Sequence, residues 1–222
     1  MSGSRPDPFA IKDSALVSLS IGRSAHNLRE LLAGIAEAPA ASLRHHFLEA
    51  LLRPSFDDPE FRNDFAVWAR EALRDDILAE RLGIVDPISL PDTEAVRAEL
   101  IDIVEDRLDE LSHPPSAPPG HDFQFLRSQV VVFDSGHSAE EPADLARLAP
   151  QLSPGSVYFH FVDARVRPPR GEDDFSAWLA GWGDAGRAAR ERLAAIDPMF
   201  GSLLELRARV AEALEQAFGG PA

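Results

Sequence analysis

The feature that most limits what this chain can fold into is that it contains itself twice. Ser42 to Pro54 reads SLRHHFLEALLRP, and Ser156 to Pro168 reads SVYFHFVDARVRP. Ungapped, the serine, histidine, phenylalanine, alanine, arginine and proline coincide, and Glu49 faces Asp163. The match continues in order. NDFAVW (Asn63 to Trp68) answers DDFSAW (Asp173 to Trp178), and ERLGIVDP (Glu80 to Pro87) answers ERLAAIDP (Glu191 to Pro198). Upstream, Gly22-Arg-Ser-Ala answers Gly136-His-Ser-Ala at the offset of the histidine block. We read an internal duplication: copy one over 10–111, copy two over 121–219, and between them 112–120, SHPPSAPPG, an extended proline-rich spacer.

Local patterning sets the content of each copy. Val17, Leu19 and Ile21 alternate with Leu16, Ser18 and Ser20, which predicts a strand ending at Gly22; Phe123 to Phe133 predicts a second. Asn27 suits the N-cap of a helix over 28–37, with Leu28, Leu31, Leu32 and Ile35 as its apolar stripe. The histidine blocks are predicted helical in both copies, because Leu43, Phe47, Ala50 and Leu51 recur at helical spacing, with Ser42 as cap. Asp64 and Asp174 are expected to cap helices carrying Phe65 and Trp68, and Phe175 and Trp178. A helix should stop near Gly83, and long final helices carry Val96 to Leu111 and Leu203 to Phe218. The expected class is α+β, mostly helical, each copy holding one strand and four to five helices. A lone strand leaves its backbone groups unpaired. The two strands are therefore expected to pair with each other about a pseudo-two-fold axis, giving a monomer with pseudo-dimeric copies, or a homo-oligomer of it.

In sequence, a strand ending in glycine, a helix, S-x-x-x-H-F, N-D-F-x-x-W, E-R-L and D-P resembles a bacterial family of uncharacterised proteins, the domain of unknown function DUF5752. Copy one carries the pattern in Ser42, His46, Phe47, Asn63, Asp64, Phe65, Trp68 and Glu80 to Leu82. Copy two keeps His160, Phe161, Asp174, Phe175 and Trp178, and departs at Asp173, where the pattern has asparagine. If an amide is needed at that position, copy two has lost it. The resemblance implies no activity.

Composition excludes more than it selects. The chain carries 37 acidic and 22 basic residues, a net charge of -15, which opposes nucleic acid and anionic lipid. It has no cysteine, hence no thiol nucleophile, disulfide or cysteine-ligated metal. No apolar run is long enough to span a bilayer, and the N-terminus lacks the order of a signal peptide, so a cytoplasmic protein is expected.

His46 with Glu49, mirrored by His160 with Asp163, is the sharpest polar constellation, since residues three apart share a helical face. With Asp64 it offers an acid–base pair or a small His/carboxylate cluster; the alternative is a half-buried histidine bonded to a carboxylate, locking helices together. His45 is expected to meet solvent. Ser24 and Ser138, after glycines at the head of a helix, suit a cap or a small anion site. Asn63 suits an N-cap, and Arg53 a grip on a carboxylate or helix end. Catalytic candidates are thus His46, Glu49 and Asp64; ligand-binding candidates are Ser24, Asn63, Arg53 and His160; no metal or cofactor is assigned. Trp68 and Trp178 read as packing anchors. The reading that these features favour is a non-catalytic interaction or accessory protein with a protein partner. Its competitors are an enzyme centred on copy one and a small-anion sensor.

Overall fold

The structure, a computed structural model of the chain, describes residues 5–52, 61, 63–167, 171–199 and 201–219. Arg53 and Pro54 lie outside the described residues. The fold is α+β and mostly helical. Strand β1 runs Phe9–Ala25 and strand β2 Phe123–Ala139, and the two pair antiparallel with each other. The expected partnering of the strands is observed, and both are longer than the alternation predicts. The sequence pattern makes glycine the stop signal. Instead Gly22 and Gly136 sit within the strands at φ +74° and +76°, with no atom within 4 Å of where a side chain would begin. Each donates its N–H to a side chain two residues back, Ser20 Oγ at 3.0 Å and Asp134 at 2.9 Å. A glycine thus turns the backbone without ending the strand. Ser24 and Ser138 are consequently exposed strand residues rather than helix heads.

The described chain gathers into two compact units, a contiguous one of Leu16–Val130 and a split one of Met1–Ala15 with Val131–Ala222. In the contiguous unit the tail of β1 leads into α1 (Leu28–Glu37), capped as expected by Asn27, which accepts from the N–H of Arg29 and Glu30. Leu28, Leu31 and Ile35 are buried, and Gly34 lies so close under the Phe125 ring that a methyl group has no room. Helix α2 (Ala40–Phe47) starts after Pro39, one turn earlier than expected; Ser42 is therefore an interior helical residue, fully buried, and not the cap. A 3-10 turn (Glu49–Leu52) follows. Helix α3 (Asp64–Glu71) is capped by Asn63 rather than Asp64, and α4 (Asp76–Gly83) by Asp75, which also takes the Arg107 guanidinium at 2.9 Å. Helix α5 (Thr93–Glu110) packs Val96, Leu100 and Val104 against α1, α2 and α4. The proline-rich stretch after it is extended yet tied down. Ala117 is buried and donates to His26 O at 2.8 Å, and Ser116 bridges Asn27.

In the split unit the head of β1 meets helices more than a hundred positions downstream. These are α6 (Pro142–Leu148), α7 (Pro154–Val157), α8 (Asp174–Ala180), α9 (Asp184–Ala194) and α10 (Leu203–Phe218), with α10 packed on α6, α7 and α9. The block SVYFHFVDAR is helical, as expected, but not one regular helix: α7 passes into a π turn (Tyr158–Val162) and a 3-10 turn (Asp163–Arg165). Phe9 and Ile11 enter the core at 8% and 2% exposure. Polar contacts help fix their segment, among them Trp178 Nε1–H to Asp7 O at 2.8 Å, Ser14 Oγ–H to Gly155 O at 2.9 Å, and Ser153 Oγ–H to Asp13 at 2.6 Å. No helix among the described residues is long and apolar enough to cross a membrane.

Candidate functional site

In the contiguous unit, α2 carries His46 to the floor of the core, 1% exposed, between the rings of Phe65 and Phe123 at 5.3 and 4.8 Å. Its Nδ1 lies 2.7 Å from Asp64, and its Nε2 accepts the backbone N–H of Leu126 in β2 at 3.0 Å. A backbone N–H can only donate, so Nε2 carries no proton. The proton is on Nδ1, donated to Asp64, and the ring is neutral. The second nitrogen, which a general base or a metal would need, holds the strand.

The split unit repeats the arrangement with other neighbours. His160, on the π turn and 3% exposed, faces Asp174 through Nδ1 at 2.8 Å and accepts the backbone N–H of Lys12 through Nε2 at 2.8 Å. Phe9 lies 4.9 Å from the ring, where Phe123 stands against His46. Burial opposes ionisation of Asp174, but hydrogen bonds from His160 and Arg167, with the charge of Arg167, outweigh it and hold the carboxyl below the usual carboxylate range. The tryptophans close both sites in the same manner: Trp68 Nε1–H donates to His121 O at 2.7 Å, as Trp178 does to Asp7 O. Trp68 is a buried anchor, and Trp178 is half-buried.

The asparagine missing from the second block has a replacement. Asn63 caps α3 through Oδ1, which accepts from Ala66 N–H at 2.9 Å, while its amide donates to Leu82 O at 2.9 Å. Asp173 caps α8 in the same way, accepting from Ser176 N–H at 2.9 Å, but a carboxylate cannot donate. Arg165 supplies the donor. Its Nη2 meets Asp173 at 3.2 Å and Leu193 O at 3.1 Å. Burial pushes the Asp173 carboxyl above its ordinary value, against the lowering effect of Ser176 and Arg165. A cavity of about 200 Å³ lies beside this pair, bordered by Arg190 and Glu172, themselves joined at 2.8 Å.

Of the catalytic candidates, the fold brings His46 and Asp64 together. Glu49 opens the 3-10 turn beyond α2 and takes Arg44 Nε–H at 3.2 Å. Asp163 likewise bonds Arg167 at 3.1 Å rather than His160. His45, expected in solvent, is fully buried, edge-on to His46 at 4.9 Å, with Ser128 Oγ at its Nδ1. Strand β2 covers the α2 face that the helical wheel leaves open. Ligand atoms of His45, His46 and Asp64 gather within 4.8 Å, the spacing of a metal site. A cation on His46 Nδ1 would move the ring proton to Nε2, where Leu126 N–H already points, so the geometry disfavours it. Among the ligand-binding candidates, Ser24 is exposed on β1, Asn63 is a cap, and His160 holds a strand.

A mostly helical α+β fold with one antiparallel strand pair and histidine–carboxylate locks in its cores defines the class. The chain belongs to DUF5752, "Family of unknown function (DUF5752)", which matches residues 6–215. It is similar to OrfY from Thermoproteus tenax, whose structure shares 32% sequence identity, covers 98% of this chain and 99% of that one, and superimposes with a TM-score of 0.79. No curated protein matches the chain.

Proposed function

We propose that the protein is a non-catalytic accessory module, built by duplication, that works by binding a protein partner. One observation carries this reading: both imidazoles are closed on both sides, so the sharpest polar groups of the sequence serve the cores. The duplication is supported by matched detail at one constant offset. Phe9 and Phe123 pack on the two histidines, Lys12 and Leu126 donate to them, and Gly22 and Gly136 turn the strands. Asn63 and the Asp173–Arg165 pair reach the same carbonyl of the E-R-L block. Surface for a partner exists in each unit. Val131, Val132 and Phe133 of β2 are 45%, 43% and 46% exposed in the split unit, and Val17 and Leu19 of β1 are 50% and 38% exposed in the contiguous one. Consecutive exposed apolar residues on a strand suit recognition of a protein rather than solvation.

The test is affinity purification from the native host with wild type, with Val132→Lys/Phe133→Glu, and with His46→Gln. A partner retained by wild type and His46→Gln and lost with the strand variant is the expected result. Retention by the strand variant, or no partner, sinks the reading. The competing reading is an acid–base or metal site at His46, Glu49 and Asp64; of these, His46 and Asp64 gather with His45, while Glu49 pairs with Arg44. Metal analysis of the purified chain separates the two.

A further inference from the structure

We propose that His46 and His160 are proton-operated latches: a second proton on either imidazole releases the strand segment that it holds, residues 123–130 in the contiguous unit and residues 9–15 in the split unit. The neutral ring is a matched part, donor toward a carboxylate and acceptor toward a strand N–H. The imidazolium has two donors. Its new Nε2–H would face the N–H of Leu126 or Lys12 across 3.0 or 2.8 Å, inside a core where the rings are 1% and 3% exposed. Asp64 and Asp174 favour the charged ring, but only at Nδ1; neither reaches the nitrogen that the strand covers. Repulsion is relieved when the strand lifts and water reaches Nε2.

Among the described residues, the charged and titratable neighbours do not pre-empt the step. On the split side they are Asp174 and Arg167, with Arg167 also on Asp163, and on β1 Lys12, whose ammonium pairs with Asp134, and Asp13, which accepts from Ser153. On the contiguous side they are Asp64, His45, Glu49 with Arg44, and on β2 Asp122, bound to His26, and Arg127. Asp174 is held below the ordinary carboxylate range, so it stays ionised while an imidazole titrates. This inference is independent of any partner.

The experiment uses the full chain, 15N-labelled, followed from pH 8 to 4.5. Imidazole 1H–15N spectra report each ring nitrogen, and amide exchange reports Leu126, Lys12 and, as internal references, Leu100 and Val210. At pH 8 both histidines should show protonated Nδ1 and bare Nε2. As each ring takes its second proton, protection of its own strand amide should fall at least tenfold, while Leu100 and Val210 stay protected. His160→Gln keeps an acceptor that does not charge. It should leave Lys12 insensitive to acid while Leu126 still responds. Rings that charge with the strand amides still protected, or references lost together with the strands, overturn the proposal. So does equal acid sensitivity of Lys12 in wild type and His160→Gln. If the glutamine variant does not fold, the coincidence of ring and amide transitions in wild type decides alone.

Discussion

A buried imidazole is stable only when both nitrogens are matched, and here the match defines what each substitution does. His46→Leu removes the acceptor for Leu126 N–H and leaves a buried donor unsatisfied, a cost of about 1–3 kcal/mol. His46→Gln retains an acceptor and should recover part of it; thermal melts of the two variants check this. Arg165→Leu strands the buried Asp173 carboxylate, a loss of about 3–5 kcal/mol. Adding Asp173→Asn should restore much of it, because the amide can donate to Leu193 O as Asn63 donates to Leu82 O. A double-mutant cycle by denaturant unfolding reads the coupling. The pH dependence of two carboxyls runs in opposite directions. Asp174 titrates below its unfolded value of 3.8, so its stabilisation is present above that value and disappears as pH falls through the folded one. The gap between wild type and Asp174→Asn should therefore be full at pH 7 and shrink below pH 3.8, measured by urea midpoints. Asp173 is raised; its contribution is full below 3.8 and lost as pH rises, so Arg165→Leu should regain stability in acid. Part of this scale was legible: the sequence sets Asp64 and Asp174 near the histidines and flags the lost amide at Asp173, but its first pairing, of His46 with Glu49 and His160 with Asp163, is replaced by arginine partners for both carboxylates. It could not supply the strand N–H on Nε2 or the Arg165 donor, because both come from tertiary packing. The same packing buried His45, which helical geometry alone sends to solvent.

At the scale of elements, caps and stripes were readable because they are local: Asn27, Asn63 and the apolar rows of α5 and α10 obey short-range rules. Strand length was not, since a glycine at positive φ resembles a stop in sequence and acts as a bend in a ladder that continues to Ala25. Nor was the π turn at Tyr158–Val162, whose extra residue per turn leaves no periodic trace over so short a run. Close approach of elements makes its own prediction. Gly34→Ala drives a methyl into the Phe125 ring and forces α1 away from β2. The expected loss is about 1–3 kcal/mol by chemical denaturation, whereas alanine normally favours a helix.

For the whole molecule, a unit is defined by contacts, not by contiguity. Phe9→Ala empties a buried aromatic position beside His160, Phe175 and Trp178, and should cost about 3–5 kcal/mol. The damage should appear as faster amide exchange in α8 and α10, which lie far from residue 9 in sequence. The split arrangement also sets a timetable. The segment around Lys12 leaves the ribosome long before His160 exists, and translation proceeds at about 5–20 residues per second. The first strand must therefore wait on the order of ten seconds, apolar and unpaired, for the helices that will accept it. Until those helices are made, a nascent chain of this protein carries Phe9 and Ile11, later buried in the core, in the open.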